Sequence, residues 1–173
     1  MTSEFIDAYS DDQIYLHMLE GLVNAHPVEA DVPDSIKYSS FSRLWAVMMI
    51  GSVECMIKEW TSSQPSLSDI YAYFHNGSNN QRIDRLVAAF NLRGLFVDSD
   101  AFQDYLAIKY IRNAYIHAEW NESQKYFVKN RGFPSDLMHF DETHFERMKK
   151  CHLHVMNNLG KANAVDKMNR PGF

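Results

Sequence analysis

The chain predicts an all-α fold: an antiparallel, up-and-down bundle of four core helices with additional short helices. Three observations carry this expectation. Apolar residues recur at helical spacing in one segment after another, with capping signals at their starts. Alternating strand-like runs are missing. Only 7 Gly and 5 Pro among 173 residues leave little room for a many-turned β protein. With 46% hydrophobic residues the chain can bury one good core, so a single domain over residues 1–173 is expected. Residues 40–160 would form its core and residues 161–173 a loose, polar tail.

Ser10 with Gln13 forms a capping box for a first helix reaching about Asn24, with Ile14, Met18 and Leu22, and Leu19 and Val23, facing inward. Residues 27–38, bracketed by Pro27 and Pro33, read as a loop. A long apolar helix over 41–60 follows, until SSQPS breaks it, and a short helix runs through Ile70 and Phe74. HNGSNN, residues 75–80, is a turn. The next helix, 81–92, stops near Gly94. Another starts after Asp98-Ser99 and ends between Glu119 and Glu122. Residues 122–140 contain Gly132 and Pro134 and read as an irregular loop. The last helix, 142–159, stacks Phe145, Met148, His152, Met156 and Leu159 on one face.

The start, MTSEFID, is acidic where a signal peptide would be basic and then apolar. The longest apolar run, Leu44–Ile50, is too short to span a bilayer. Cys55 and Cys151, both on predicted helices, suggest reduced thiols rather than a disulfide framework. The expectation is a cytoplasmic protein with no membrane partner. A net charge of −5 argues against a generic polyanion binder, yet the charge is uneven. Residues 1–100 hold 6 basic and 14 acidic side chains, and residues 101–173 hold 11 and 8.

The basic half contains the most informative segment, KYIRNAYIHAEW at 109–120. Arg112, Asn113 and His117 bring three polar groups to a strongly apolar helix. A guanidinium grips phosphate oxygens bidentately, an imidazole moves a proton near neutral pH, and the amide can bond either of them or a ribose hydroxyl. Spacing alone proves little, since about 0.4 Arg-x4-His matches arise by chance in such a composition. A second match exists, Arg147 to His152 in RMKKCH, but it has no adjacent amide and lies in a mixed-charge helix. On a helical wheel Phe102, Tyr105, Leu106, Ile116 and Trp120 form one apolar stripe, and Ile108, Ile111 and Tyr115 a second on nearly the opposite side. Lys109 and Asn113 fall inside the first stripe and need partners there. Arg112 and His117 lie about 140° apart, so they share a cleft only near the helix end or opposite a second copy.

This segment resembles the motif of the HEPN superfamily of small helical ribonucleases: Arg, a polar residue, a few more residues, then His. Arg112, Asn113 and His117 match it position by position. The resemblance extends in outline over residues 40–160, including RLWAVMMIGSVECMIKEW with its internal Glu54 and NNQRIDRLVAAFNL. It departs at Ala118, where many members have Gly, and at Glu119, where one branch has a modifiable Tyr. The resemblance implies a metal-independent endoribonuclease of toxin or defence type, with no cofactor. Its active cleft would form between two subunits of a homodimer, RNA would be the substrate, and a cognate antitoxin is an implied partner. In that reading His117 shuttles the proton of a ribose 2′-hydroxyl, Arg112 stabilises the phosphorane and Asn113 orients substrate or imidazole.

Each site residue also has a plainer reading. Glu54, between Val47, Ile50 and Ile57, could accept from Arg112 or His117, or could reach water at an edge. Lys125, Lys129 and Arg131, interleaved with Tyr126, Phe127 and Phe133, could contact RNA or could be a solvated loop with aromatics tucked beneath. His139, His144, His152 and His154 with Cys151 match no paired zinc knuckle, and no metal is expected. The whole polar cluster could instead only pin helix packing. A different class of function, a non-catalytic helical module binding a nucleotide or a partner protein, would use the same cleft.

Overall fold

In the computed structural model, residues 33–168 are described except Ser63, together with Asp11, Ile14, His17, Met18, Glu20 and Gly21. All regular structure among the described residues is helical. Six α-helices occur: α1 (Asp34–Ser62), α2 (Ser68–Tyr71), α3 (Asn79–Leu92), α4 (Ser99–His117), α5 (Glu122–Asn130) and α6 (Glu142–Met168). Two 3-10 turns, Pro65–Leu67 and Ala72–Phe74, flank α2. The long helices form the expected antiparallel bundle, with α4 packed against α1, α3, α5 and α6.

Several boundaries differ from the sequence reading. Helix α1 begins at Asp34 rather than at 41, because the Pro33 carbonyl accepts from the Ile36 amide and Asp34 sits favourably at the helix dipole's positive end. Ala46, Met49, Ile50, Val53 and Ile57 then recur at helical spacing and are fully buried. The expected loop at 122–140 opens with a nine-residue helix, α5, started by the Asn121 side chain accepting from the Ser123 amide. Only beyond Gly132, which has φ +76°, does the chain become irregular. Helix α6 runs past Gly160 to Met168. Gly160 is a weak helix former, but Ala162 beyond it is fully buried, so packing overrides propensity. Of the expected tail, only residues 169–173 lie outside the described residues.

The first expected helix falls largely outside the described residues, although Asp11, Ile14, His17, Met18, Glu20 and Gly21 are helical. Ile14 and Met18, expected to face inward, are exposed, while Glu20 meets Lys149 of α6 in an ion pair.

Side-chain clamps hold α4 in place. The Asp98 carboxylate caps it, accepting from the amides of Asp100 and Ala101. Asp104, nearly buried, accepts from Arg131 Nε at 2.8 Å, just past α5, and from Arg147 Nε at 2.5 Å on α6. Both cysteines are free, Cys151 donating to the Ala101 carbonyl at 3.1 Å. Among the described residues one helix, Asp34–Thr61, is long and apolar enough to cross a membrane by length and composition, which the Leu44–Ile50 run alone did not suggest. A bundle's core helix passes the same test, and this one packs against both α4 and α6.

Candidate functional site

Helix α4 carries Tyr105, Lys109 and Arg112 at i, i+4 and i+7, so one face of the helix bears three polar heads. That face meets Glu54 of α1 and Tyr73, which the 3-10 turn after α2 delivers. The Lys109 ammonium forms an ion pair with Glu54 Oε1 and donates to the Tyr73 hydroxyl at 2.5 Å. Tyr73 in turn donates to Glu54 Oε1 at 3.0 Å. Arg112 Nη2 donates to Glu54 Oε2 at 2.9 Å. One carboxylate thus receives three donors from two elements, as a buried charge requires.

Burial alone would raise the Glu54 carboxyl, but the Lys109 ammonium, by charge and hydrogen bond, and then Arg112 outweigh it and hold it below the usual carboxylate range. Burial lowers the Lys109 ammonium below its ordinary value despite Glu54, with Arg112 and Arg82 of α3 adding repulsion. Burial and the neighbouring Glu54 charge push the Tyr73 hydroxyl far up, so it stays a neutral donor.

Two buried polar atoms of this cluster, Arg112 Nε and the Tyr105 hydroxyl, lack a hydrogen-bond partner among the described residues. The Tyr105 hydroxyl lies near Tyr73 and Glu54, yet its geometry to Tyr73 falls short of a hydrogen bond.

The structure brings Glu54, Lys109 and Arg112 together and leaves the rest of the motif apart. His117 is the last residue of α4 and exposed, with no hydrogen-bond partner among the described residues. Asn113 is half-buried and likewise makes no side-chain hydrogen bond within the chain among those residues. Ala118 ends the helix at φ 54°, in the left-handed region. Glu54 accepts from Arg112 and not from His117. Of the two apolar stripes, Phe102, Tyr105 and Leu106 on one side and Ile108 and Ile111 on the other are all buried within the single chain. A second stripe therefore does not by itself call for a partner. Only the helix end, Tyr115 at 50% and Ile116 at 49% relative exposure, remains open.

The basic residues after the motif divide. Lys125 pairs with Glu122 one turn back at 2.7 Å, and Lys129 is exposed, so both stand on the outer side of α5. Arg131 is committed to Asp104 and Asp100, which makes it a clamp of the fold and withdraws it from the expected RNA surface. Tyr126 is exposed, whereas Phe127 packs edge-on against Tyr110 and Phe133 lies under the Arg147 guanidinium.

The second Arg-x4-His match is structural. Arg147 grips Asp104, and His152 is buried edge-on against Trp45, its Nε2 3.4 Å from Ser52 Oγ. Burial lowers its pKa to about 4. The C-terminal histidines point apart: His139 to Asp136, His144 to Asp141 and the Gly132 carbonyl, His154 to the Asp98 amide. No group of three metal-ligating side chains converges among the described residues.

Sequence reasoning missed Tyr73 and Arg82. Tyr73 lies on a short turn with no motif around it, and Arg82 is half-buried next to Ile83, which with Leu86, Ala89 and Phe90 forms the buried side of α3. Comparison with family models, curated proteins and solved structures gave no match to this chain.

Proposed function

We propose that this chain is a metal-independent endoribonuclease of the HEPN type, a toxin or defence effector whose active cleft forms between two copies. The observation that carries the reading is the contrast on α4 between Arg112 and His117. Arg112 is oriented by Glu54 and still 18% exposed, while His117 stands free in the last turn. A preoriented cation suits a centre where negative charge develops, and a solvent-accessible imidazole suits proton transfer. Their angular separation on one helix favours pairing across a two-fold axis.

In the reaction His117 takes the proton of a ribose 2′-hydroxyl as that oxygen bonds to the adjacent phosphorus. Arg112 stabilises the charge on the phosphorane oxygens. The bond to the 5′-oxygen then breaks, and the leaving oxygen takes up a proton, giving a 2′,3′-cyclic phosphate and a 5′-hydroxyl. Asn113, half-buried beside the pair, orients the substrate.

The test is cleavage of a mixed RNA pool by the purified protein in EDTA, with the 5′ fragment's terminus identified by mass. Activity that survives chelation and leaves a cyclic phosphate is expected. Arg112→Ala and His117→Ala should each lower the rate by about 10²–10⁴-fold. Cleavage at the wild-type rate by either variant, or strict dependence on a divalent ion, overturns the assignment.

A further inference from the structure

A cavity of about 490 Å³ lies between α1 and α6, walled by Trp45 on the first and by His152, Leu153 and Met156 on the second, with Glu20 at its border. Small-molecule sites are typically cavities of roughly 300–1,000 Å³ with apolar walls and a few placed polar groups. Lys149, His152, Leu153 and Met156 stand at i, i+3, i+4 and i+7, so one face of α6 lines the opening. Trp45 and Glu54 are about two and a half turns apart on α1, which puts the cavity and the proposed cleft on opposite sides of that helix.

The polar groups in the cavity wall have a defined sense. Ser52 Oγ donates its one proton to the Met49 carbonyl at 3.0 Å, so toward His152 Nε2, 3.4 Å away, it accepts. Nε2 therefore carries the proton of an imidazole that burial keeps neutral. Nδ1 is left with a lone pair. It has no hydrogen-bond partner among the described residues and is not sealed from solvent, so it opens on the cavity that the ring borders. His152 is only 7% exposed, so this acceptor sits deep in the wall, whereas Leu153 is 63% exposed and leaves an apolar surface uncovered. Charges at the mouth cancel: Lys149 pairs with Glu20 and, at 2.6 Å, with Glu146, and exposed Lys150 is the second cation beside these two acids.

We infer that this cavity binds a small neutral aromatic molecule with one hydroxyl or N–H donor, of the phenol or indole class. The donor bonds His152 Nδ1, and the ring lies against Trp45, Leu153 and Met156. An aromatic wall and a polarisable thioether both favour a π-ring. A carboxylate would set its oxygens against a lone pair and meet no net positive charge at the mouth. A ligand without a donor would dry Nδ1 and leave it unpaired, at a penalty. The site is independent of the ribonuclease reading, since it shares no residue with Arg112, Asn113 or His117.

Titration calorimetry with three probes tests the assignment: indole, 1-methylindole, which keeps the ring but lacks the N–H, and benzoate, an aromatic anion. Indole should bind saturably, 1-methylindole about 2–10-fold more weakly, and benzoate not at all. In nitrogen NMR spectra of the wild-type protein, the unprotonated His152 nitrogen should shift on adding indole and stay in place with 1-methylindole. His152→Phe keeps a ring and removes the acceptor, so it should bring the two indoles to equal affinity. Leu153→Asp, at an exposed position, should keep its helicity and lose indole binding. Lys161→Gln, elsewhere on α6, should bind as wild type does. No saturable binding of indole, equal affinity of the wild-type protein for the two indoles, or tighter binding of benzoate overturns the assignment. Indole binding that survives Leu153→Asp does so too. The wild-type comparison of the two indoles decides the matter even if His152→Phe does not fold.

Discussion

Glu54 accepts from Lys109, Tyr73 and Arg112 at once, so its loss leaves two cations on the inner side of the bundle without a counter-charge. Glu54→Gln is expected to lower stability by about 3–5 kcal/mol, seen as a shift in the urea midpoint at unchanged slope. His117→Ala, at an exposed helix end, should leave that midpoint within about 0.5 kcal/mol of wild type while cleavage falls. A His117 variant that unfolds as readily as the Glu54 variant would show that the motif serves packing. The same residues set the acid limit. A carboxyl lowered by folding contributes stability present above its unfolded pKa and lost as pH falls through the folded value. His152 is also lowered, to about 4, so the unfolded chain takes up a proton from about pH 6.5 downward while the folded one does not until about pH 4. Both effects remove stability on acidification. Unfolding midpoints should therefore drop between about pH 6.5 and 4, and His152→Gln should flatten the upper part of that fall. A midpoint unchanged from pH 7 to 5 would contradict the neutral, buried state of His152. The pairing of Glu54 with Arg112 was open to inference from the sequence, since a lone acid on an apolar face has few partners. Arg82 and Tyr73 were not, because their contribution depends on where α3 and the turn after α2 meet α4.

Helix interiors were readable and helix ends less so, because periodicity comes from burial whereas termini depend on a few local bonds. Asp98 announced the start of α4 and also caps it. Helix α5 was missed because Gly132 and Pro134 drew attention to a loop, while its starting signal, Asn121 followed by Glu122, is short. The end of α4 joins the two levels. Ala118 occupies a left-handed conformation that strains any residue with a Cβ. Ala118→Gly should consequently stabilise the protein by about 1 kcal/mol, provided the gain exceeds glycine's extra freedom in the unfolded chain. Calorimetry would detect this as a rise of a few degrees in Tm, with the cleavage rate preserved. A fall in Tm would mean that the Ala118 methyl makes packing contacts that outweigh the backbone strain.

At the scale of the whole molecule, the case for a dimer rests on the end of α4. The bundle covers Ile108 and Ile111, which leaves Tyr115 and Ile116 as the apolar surface adjoining His117. The Arg43 guanidinium lies 5.7 Å from the Tyr115 ring centre, so the exposed patch has a cationic rim facing the same end. Two such ends meeting across a two-fold axis would cover both patches and bring His117 of one copy toward Arg112 of the other, the approach that a single helix denies them. Ile116 is half-exposed, so replacing it with Asp should leave the bundle folded, yet two carboxylates would then face each other across the axis. Light scattering at micromolar concentration should give about twice the 20.1 kDa chain mass for the wild type and the single-chain mass for Ile116→Asp. RNA cleavage should be lost with the dimer, although circular dichroism stays helical. Mixing Arg112→Ala with His117→Ala should restore part of the activity, because one heterodimer cleft would keep an intact Arg112 and an intact His117. A wild-type monomer that cleaves RNA, or an Ile116→Asp monomer with full activity, would place the chemistry within one chain and dismiss the shared cleft.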